Sequence, residues 1–309
     1  MPEKLVAVIM LNWNRVNDTI ACIKSILAGD YKNLKFFVVD NGSNDKNEVG
    51  QIIKAFEDIS VLSLPDNLGF TGGMNAGIKY VMEKFPEIDY FMILDNDMIV
   101  DSKCVSSAIS VLDSEHDVDV IGAAVYNFNG ELQYSAANIN FWVNVVLPTS
   151  YYFKSKYNET KRFTVTYLSF WCSFVRREVF DVVGLFSDFF IAWDDVDFSW
   201  RITKKGMKMI YLPKSKVFHK DTILNNGSGK LQYYGTRNKF IVAQRILPKW
   251  QYWLFLLYMF TINLAGLTVY YILVDRNIRR LKHFYKGVDD GYFYACMEES
   301  LRSYQDTSV

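Results

Sequence analysis

Paired cysteines are what this chain most plainly lacks. Four occur in 309 residues, Cys22, Cys104, Cys172 and Cys296, and none stands at the short spacing of a zinc knuckle or a disulfide framework. Free thiols in a reducing cytosol are the expected state. Net charge is missing as well: Lys+Arg and Asp+Glu both count 34, so no overall field draws in nucleic acid, and no DNA or RNA partner is expected. The apolar run at residues 5–11 is short and ends in Asn12-Trp13-Asn14-Arg15 without a small-residue cleavage site. It reads as a first strand rather than a signal peptide. No internal repeat or low-complexity tract is visible. What is abundant is aromatic: the 16% share of Phe, Trp and Tyr is concentrated in the second half, a composition suited to carbohydrate, lipid headgroup or membrane contact.

Through the first third, short apolar runs at 5–11, 36–39, 61–64 and 90–94 alternate with amphipathic stretches at 18–27, 49–56 and 74–82. Short strands separated by helices predict βαβ units, hence an α/β fold with a mostly parallel, Rossmann-like sheet flanked by helices. Ligands bind such sheets beyond the carboxyl ends of the strands. Three of those ends carry polar clusters facing one crevice: Asn12-Trp13-Asn14-Arg15, Asp40-Asn41-Gly42-Ser43 and Asp95-Asn96-Asp97. A fourth cluster, running from Asp66 through Asn67, Gly69, Phe70 and Gly73 to Asn75, is a glycine-rich loop opening a helix. Glycine allows close backbone approach there, and a helix N-terminus favours an anion. Beyond Val120 the alternation fades into aromatic, turn-rich sequence, 154–162 reads as a mobile surface loop, and helical periodicity returns from Lys230.

Three constellations carry chemistry. Residues 90–94 form a wholly apolar strand that delivers Asp95 and Asp97; in extended backbone these leave on one face and Asn96 on the other. Two converging carboxylates suit a hard divalent cation, Mg²⁺ or Mn²⁺, shared with phosphate oxygens. The second constellation, Trp193-Asp194-Asp195-Val196-Asp197, opens a helix that runs through Lys204. Capping and the helix dipole account for one acid; three acids and two Trp, Trp193 and Trp200, point further, to a carboxylate accepting the proton of a sugar hydroxyl with an adjacent Trp stacked on the sugar. The third is His219, directly after an apparent strand at 216–218, whereas His116 and His283 read as surface residues.

Taken in order, Asp40-Asn41-Gly42-Ser43, the Asn67 to Asn75 loop, Asp95-x-Asp97, Trp193-Asp-Asp-x-Asp197, His219 and Tyr233-Tyr234-x-x-Arg237-Asn238 resemble family 2 glycosyltransferases, particularly rhamnosyltransferase-like and galactofuranosyltransferase-like members. The match spans roughly residues 5–238, and the ordered set is far more specific than any single motif. The resemblance implies a GT-A fold and inverting transfer from a UDP or dTDP sugar, of the dTDP-rhamnose or UDP-hexose/galactofuranose type. The acceptor it implies is a glycan or polyprenyl-linked glycan in cell-surface polysaccharide or glycoconjugate synthesis. It also implies a Mn²⁺ or Mg²⁺ ion held by Asp95, Asp97 and His219, with Asp195 as catalytic base. Asp40 would bond the nucleobase, and Asn12, Asn14, Arg15, Asn41, Asn67, Gly69, Phe70, Gly73, Asn75 and Asn96 would line the nucleotide pocket. Trp171, Trp193, Asp194, Asp197 and Arg237, with the loop at 138–162, would shape the sugar and acceptor site. Asp197 is expected either to orient Arg201 or to meet acceptor hydroxyls.

Two rival readings weigh less. A sugar nucleotidyltransferase would place a glycine-rich, basic loop after the first strand, and residues 11–16 contain no glycine. A non-catalytic carbohydrate-binding or membrane scaffold has no use for Asp95, Asp97, Asp195 and His219 together. The expected organisation is a catalytic domain at 1–228, its nucleotide half at 1–100 and acceptor half at 101–228, followed by a helical region at 229–309. Within it, 250–274 holds no Asp, Glu, Lys or Arg and is about long enough to cross ~30 Å of hydrocarbon. Basic residues stand on both flanks, and Asn263 and Gly266 mark a candidate bend. Two short helices in the interface of the cytoplasmic membrane face satisfy this pattern; a buried seam in a homo-oligomer is the alternative.

Overall fold

The computed structural model describes residues 3–133, 136–140, 161–220 and 229–306. They divide into two compact units: one holds the described residues through Ile139, 161–190 and 194–220, the other Asn140, Ile191–Trp193 and 229–306. Of the sequence features above, 141–160 of the acceptor loop lie outside the described residues.

In the first unit β1 (Val6–Asn12), β2 (Leu34–Asp40), β3 (Ile59–Ser63) and β4 (Tyr90–Leu94) pair in parallel, in the order β3-β2-β1-β4. These strands read as unbroken apolar runs because helices cover both faces. Alternate residues of β1 enter separate cores. Val6, Val8 and Met10 join Cys22, Ile23 and Ile26 of α1 (Val16–Leu27), whereas Ala7 and Ile9 join Met74, Ile78 and Val81 of α3 (Gly69–Lys84). The short α2 (Asn47–Ala55) connects β2 to β3.

Beyond β4 spatial order departs from chain order. The strand β11 (Cys172–Arg176) lies antiparallel between β4 and β6 (Val120–Asn127); β12 (Met209–His219) runs parallel to β6, and β5 (Met98–Val100) closes the edge antiparallel. The full path is β3-β2-β1-β4-β11-β6-β12-β5, the expected α/β architecture with a mostly parallel centre. Two short strands, β7 (Leu132–Gln133) and β9 (Phe163–Val165), pair with β6 and β12, and β8 (Ala136–Ala137) with β10 (Tyr167–Leu168) forms a separate ribbon. The strand expected at 216–218 is longer: β12 breaks register between Leu212 and Lys216, where Pro213 has no N–H to offer the ladder. Three helices, α4 (Cys104–Ser114), α5 (Arg177–Val183) and α6 (Asp194–Lys204), complete the unit.

The second unit is helical. Its α7 (Lys230–Ile246) is followed by one 26-residue helix, α8 (Lys249–Val274), and by α9 (Ile278–Asp306). The helix is not interrupted at Asn263 or Gly266: the backbone stays right-handed at Asn263, Leu264 and Tyr270, with π-helical turns at Met259–Asn263 and Tyr270–Val274. The chain turns instead after Val274, where Arg276 takes φ 51°. The α9 helix then crosses α7 closely, since a Cβ at Gly287 or Gly291 would lie 2.7 Å from the carbonyl oxygen of Tyr233 or Arg237. Helix α8 buries Tyr252, Phe255, Leu256, Met259 and Tyr271, and Phe255 meets Phe240 of α7 edge to face at 5.4 Å. Its other face leaves Trp253, Leu257, Ile262 and Leu273 more than 60% exposed. By length and composition alone α8 suffices to cross a membrane, with mean hydropathy 1.7 over a window of which 11% is buried.

Candidate active site

The fully buried β4 ends at Leu94, and Asn96 and Asp97 turn at once toward β5. The two aspartates therefore project from a turn, not from the extended backbone expected. The turn is held from outside: the Asp95 amide donates to the Trp171 carbonyl at 3.0 Å, and the Lys220 amide to the Asp97 carbonyl at 3.1 Å. Because His219 ends β12 in register with Met98 of β5, its imidazole arrives beside the aspartates. Its Nε2 is 3.5 Å from Asp97 Oδ1. Its Nδ1 is 3.0 Å from Gln133 Oε1, and Trp171 stacks on the ring with centroids 5.5 Å apart.

An amide oxygen can only accept, so Nδ1 carries a proton and Nε2 is the ring atom that faces the Asp97 carboxylate. A second proton on Nε2, or a cation shared with the carboxylate, satisfies that pairing. Arg15 supplies some positive charge, with Nη1 3.4 Å from Asp97 Oδ2 and 3.7 Å from Asp18. It does not quiet the pair: burial first, then repulsion from Asp97, pushes Asp95 up to about 7, against the opposing pull of His219. Oxygen donors with one imidazole suit Mn²⁺ or Mg²⁺. Among the described residues no three His, Cys, Asp or Glu side chains are gathered into a ready-made cage; the contact that exists is Asp97 with His219.

Around the carboxyl ends of β1 and β2, several expected nucleotide residues serve as framework. Asn12 is fully buried, its amide nitrogen near Asp40 at 3.2 Å, Ser43 at 3.2 Å and Glu48 at 2.7 Å, while Thr19 donates to its oxygen at 2.8 Å. Asn96 donates to the same Thr19 hydroxyl at 2.8 Å. Asn41 donates to the Gly69 carbonyl at 2.8 Å and accepts from the Leu68 amide at 3.0 Å, and Asn67 accepts from the Gly69 amide at 2.7 Å. Asn75 exchanges two bonds with the backbone of Phe186, at 2.8 and 3.0 Å. Gly69 has φ 74°, and a Cβ there would strike the Phe190 carbonyl and ring, so only glycine fits. That backbone is tied at the next residue, where the Phe70 amide donates to Phe190 O at 2.6 Å; Gly73 lies against Asn41 and Leu11. Asn14, exposed and left-handed at φ 57°, accepts from the Asn44 amide at 2.8 Å.

The three acids of α6 take three different roles. Asp197 is fully buried and accepts from Ser187 at 2.7 Å and from Arg201 Nε at 2.9 Å, while the Arg201 guanidinium donates on to the Val183 and Leu185 carbonyls. It is a framework acid. Asp194 is buried, and burial with repulsion from Asp195 drives it well above the carboxylate range. Asp195 is pushed up by burial to about 6, held back by bonds from the Tyr167 hydroxyl and the Val196 amide; Tyr167 donates to Oδ2, and Val196 N to Oδ1 at 2.8 Å. Of the two neighbours Asp195 is therefore the one ionised near neutrality, as a general base requires.

In the second unit Trp193 is partly exposed with φ 68°, and Asn238 donates to the Ile191 and Ala192 carbonyls at 2.9 and 2.8 Å. Arg237 Nε donates to Asn238 Oδ1 at 2.9 Å, and its guanidinium lies 4.9 Å from the Tyr234 ring centroid.

Tyr167 and Gln133 escape sequence reasoning. Each lies on a two-residue strand, too short for any periodicity to register, and each acts on a residue far along the chain.

Comparison with known proteins agrees with this geometry. The family model described as Glycosyl transferase family 2 matches residues 7–184. Similar proteins include the glycosyltransferase AglE of Haloferax volcanii, 24% identical over 210 residues covering 67% of this chain and 64% of AglE. The glycosyltransferase GlyA of Streptococcus pneumoniae serotype 4 is 23% identical over 68% of this chain and 30% of GlyA. The uncharacterized glycosyltransferase RP339 of Rickettsia prowazekii is 31% identical over 38% of this chain. The chain spans only about a third of that relative's length, 35%. Among solved structures, GalNAc-T7 with UDP, GalNAc and Mn²⁺ superposes with a TM-score of 0.62 at 15% identity, over 78% of this chain and 48% of that one, a likeness of fold.

Proposed function

The chain belongs to glycosyl transferase family 2, and we propose that it transfers a sugar, with inversion, from a UDP or dTDP sugar to a glycan or lipid-linked acceptor. The observation carrying this reading is the meeting of Asp97 with His219 beside Asp95, at the carboxyl side of β4 and the end of β12. Asp95, Asp97 and His219 would hold Mn²⁺ or Mg²⁺, and a divalent ion there supplies charge neutralisation for the leaving diphosphate. Asp195 accepts the proton of the acceptor hydroxyl as that oxygen attacks the anomeric carbon; the bond from that carbon to the diphosphate oxygen breaks and the diphosphate leaves with the electron pair. Tyr167 keeps Asp195 ionised and aimed. Asp40, Asn14 and the 67–70 loop form the nucleotide side, on a framework set by Asn12, Asn41 and Asn75. Donors of the dTDP-rhamnose or UDP-galactofuranose type fit the motif order.

The exposed apolar face of α8 supports association with the cytoplasmic membrane face. A bilayer span is disfavoured because α9, packed on the same bundle, carries Lys282, Lys286, Asp289 and Asp290, which hydrocarbon would not admit. Lying in the interface plane keeps those charges in water.

Turnover tests the reading: nucleoside diphosphate release is measured with a panel of UDP- and dTDP-sugars plus Mn²⁺. Release with one donor, lost in Asp195→Asn, is expected; release with no donor, or full activity in that variant, overturns it.

A further inference from the structure

Helix α1 and the residue that precedes it back the turn that carries Asp95 and Asp97. Arg15, Thr19, Cys22 and Ser25 recur every three or four residues and so lie along one side of the helix. Arg15 Nη1 lies 3.4 Å from Asp97 Oδ2, Thr19 Oγ1 accepts from the Asn96 amide group at 2.8 Å, the Cys22 thiol meets the Asp95 carbonyl at 3.9 Å, and Ser25 Oγ accepts from the Val100 amide at 2.9 Å. Each residue of the turn thus has its own partner on α1. Asp18 reaches elsewhere. As an acid in the first turn of α1 it suits the helix dipole, a role that needs no side-chain partner. Its carboxylate has two: Oδ1 accepts from Lys220 Nζ at 2.5 Å, across 202 residues of chain, and Oδ2 lies 3.7 Å from Arg15 Nη1.

Lys220 closes a ring, because its amide donates to the Asp97 carbonyl at 3.1 Å. The path runs from Asp97 Oδ2 to Arg15, to Asp18, to Lys220 and back to the Asp97 backbone. With Arg15 against Oδ2, the Asp97 carboxylate presents Oδ1 to His219 Nε2 at 3.5 Å. His219 precedes Lys220, so the anchor that holds Lys220 also holds the end of β12 that delivers the imidazole. The Lys220 side chain is 40% exposed and that of Asp18 25%, and pairs so open to water add little to stability; what the ring controls is position. We propose that Asp18 is a positioning residue of the cation site: through Arg15 and Lys220 it fixes Asp97 relative to His219, and with it the affinity for a divalent ion. The inference rests on the cation site proposed above, which Asp97→Asn tests separately.

The experiment is titration of the full chain with Mn²⁺, read by electron paramagnetic resonance of the free ion, for the native protein, Asp97→Asn, Asp18→Asn, Lys220→Met and the double variant of the last two. Charge and position predict opposite signs at Lys220. Removing a cation beside the site should tighten Mn²⁺ binding if charge alone matters, and weaken it if the anchor is lost. Asp18→Asn and Lys220→Met should each bind Mn²⁺ about tenfold more weakly, the scale of effect when a group that orients a metal ligand is removed. The double variant should bind about as weakly as either single one, because both substitutions open the same ring. Urea midpoints should stay close to native. Tighter binding by Lys220→Met, native affinity in Asp18→Asn, losses that multiply in the double variant, or a large fall in the urea midpoint of both single variants overturns the positioning role, and leaves the cation site standing where Asp97→Asn has lost Mn²⁺. No Mn²⁺ binding by the native chain, or native affinity in Asp97→Asn, overturns the cation site and this inference with it.

Discussion

Replacing Tyr167 by Phe isolates one hydrogen bond at the proposed base. The ring stays in its buried position, 7% exposed, and only the hydroxyl that donates to Asp195 Oδ2 is lost. The Val196 amide bond to Oδ1 at 2.8 Å remains. A hydrogen bond to a charged group contributes roughly 1.5–3 kcal/mol, and each pKa unit corresponds to about 1.4 kcal/mol, so the Asp195 pKa should rise by about one to two units. It starts near 6, pushed there by burial and restrained by Tyr167, and should move to about 7–8.

The sign follows from the chemistry. A general base works deprotonated, so a higher pKa removes activity on the acid side and leaves the alkaline plateau in place. At pH 7 the ionised fraction should fall from about nine-tenths to between about one half and one tenth, and kcat/KM should fall roughly two- to tenfold. Near pH 9 native and variant enzymes should converge. The assay is nucleoside diphosphate release across pH with the donor found by the panel, because kcat/KM reports groups in the free enzyme. An acid limb that stays put refutes the role given to Tyr167. So does a loss that is uniform at every pH, which would mean that the hydroxyl meets substrate or serves packing alone.

Gln133→Leu removes the acceptor that fixes the His219 tautomer, and should weaken Mn²⁺ binding about 10- to 100-fold, as losses of such supporting bonds do; electron paramagnetic resonance of added Mn²⁺ reads this without turnover, and unchanged affinity counts against His219 as a ligand. Asn12→Ala leaves Asp40 and Glu48 without a shared buried donor and should cost about 1–3 kcal/mol or more, read as a lower urea midpoint at constant slope. Gly69→Ala forces a Cβ into Phe190 at φ 74° and should destabilise by at least about 1–3 kcal/mol; a native-like midpoint would show that the loop is free to move. Leu257→Asp, on the exposed face of α8, should leave the melting temperature within about 2–4 °C while reducing the vesicle-bound fraction, and unchanged partitioning removes α8 from the membrane contact.

Much of the parallel part of the sheet is legible from the sequence. The apolar runs of β1, β2 and β4 are short and continuous because both faces are covered, and that pattern survives in the sequence as strand spacing. The ends of those strands then direct attention to Asp40, Asp95 and Asp97. What fails is the geometry of the turn: Asp95 and Asp97 look like one face of an extended segment, yet β4 ends at Leu94 and β5 begins at Met98, paired with β12 rather than continuing β4. The second half of the sheet is opaque for a related reason. The β11 strand enters between β4 and β6 antiparallel, and its neighbours come from distant parts of the chain, so no local alternation announces it.

The polar residues expose the deeper difference. Asn12, Asn41, Asn75 and Asn96 stand at strand ends and in a glycine-rich loop, where binding residues belong, and the sequence cannot distinguish an amide aimed at a ligand from one aimed at a loop. The distinction lies in partners far away: Asn75 holds Phe186 from 111 residues off, and Asn96 holds Thr19 from 77. Each such amide fixes a loop whose exposed members, Asn14 among them, are the ones proposed to meet a nucleotide. Asp197 and Asp195 divide in the same way within one helical turn, the first neutralised by Arg201 in the core, the second held by Tyr167 at the edge of ionisation. Framework and chemistry thus use the same residue types at adjacent positions. A substitution at Asn75 or Asp197 should therefore appear first in stability and only through it in rate, whereas one at Asp195 should appear in rate with the fold intact.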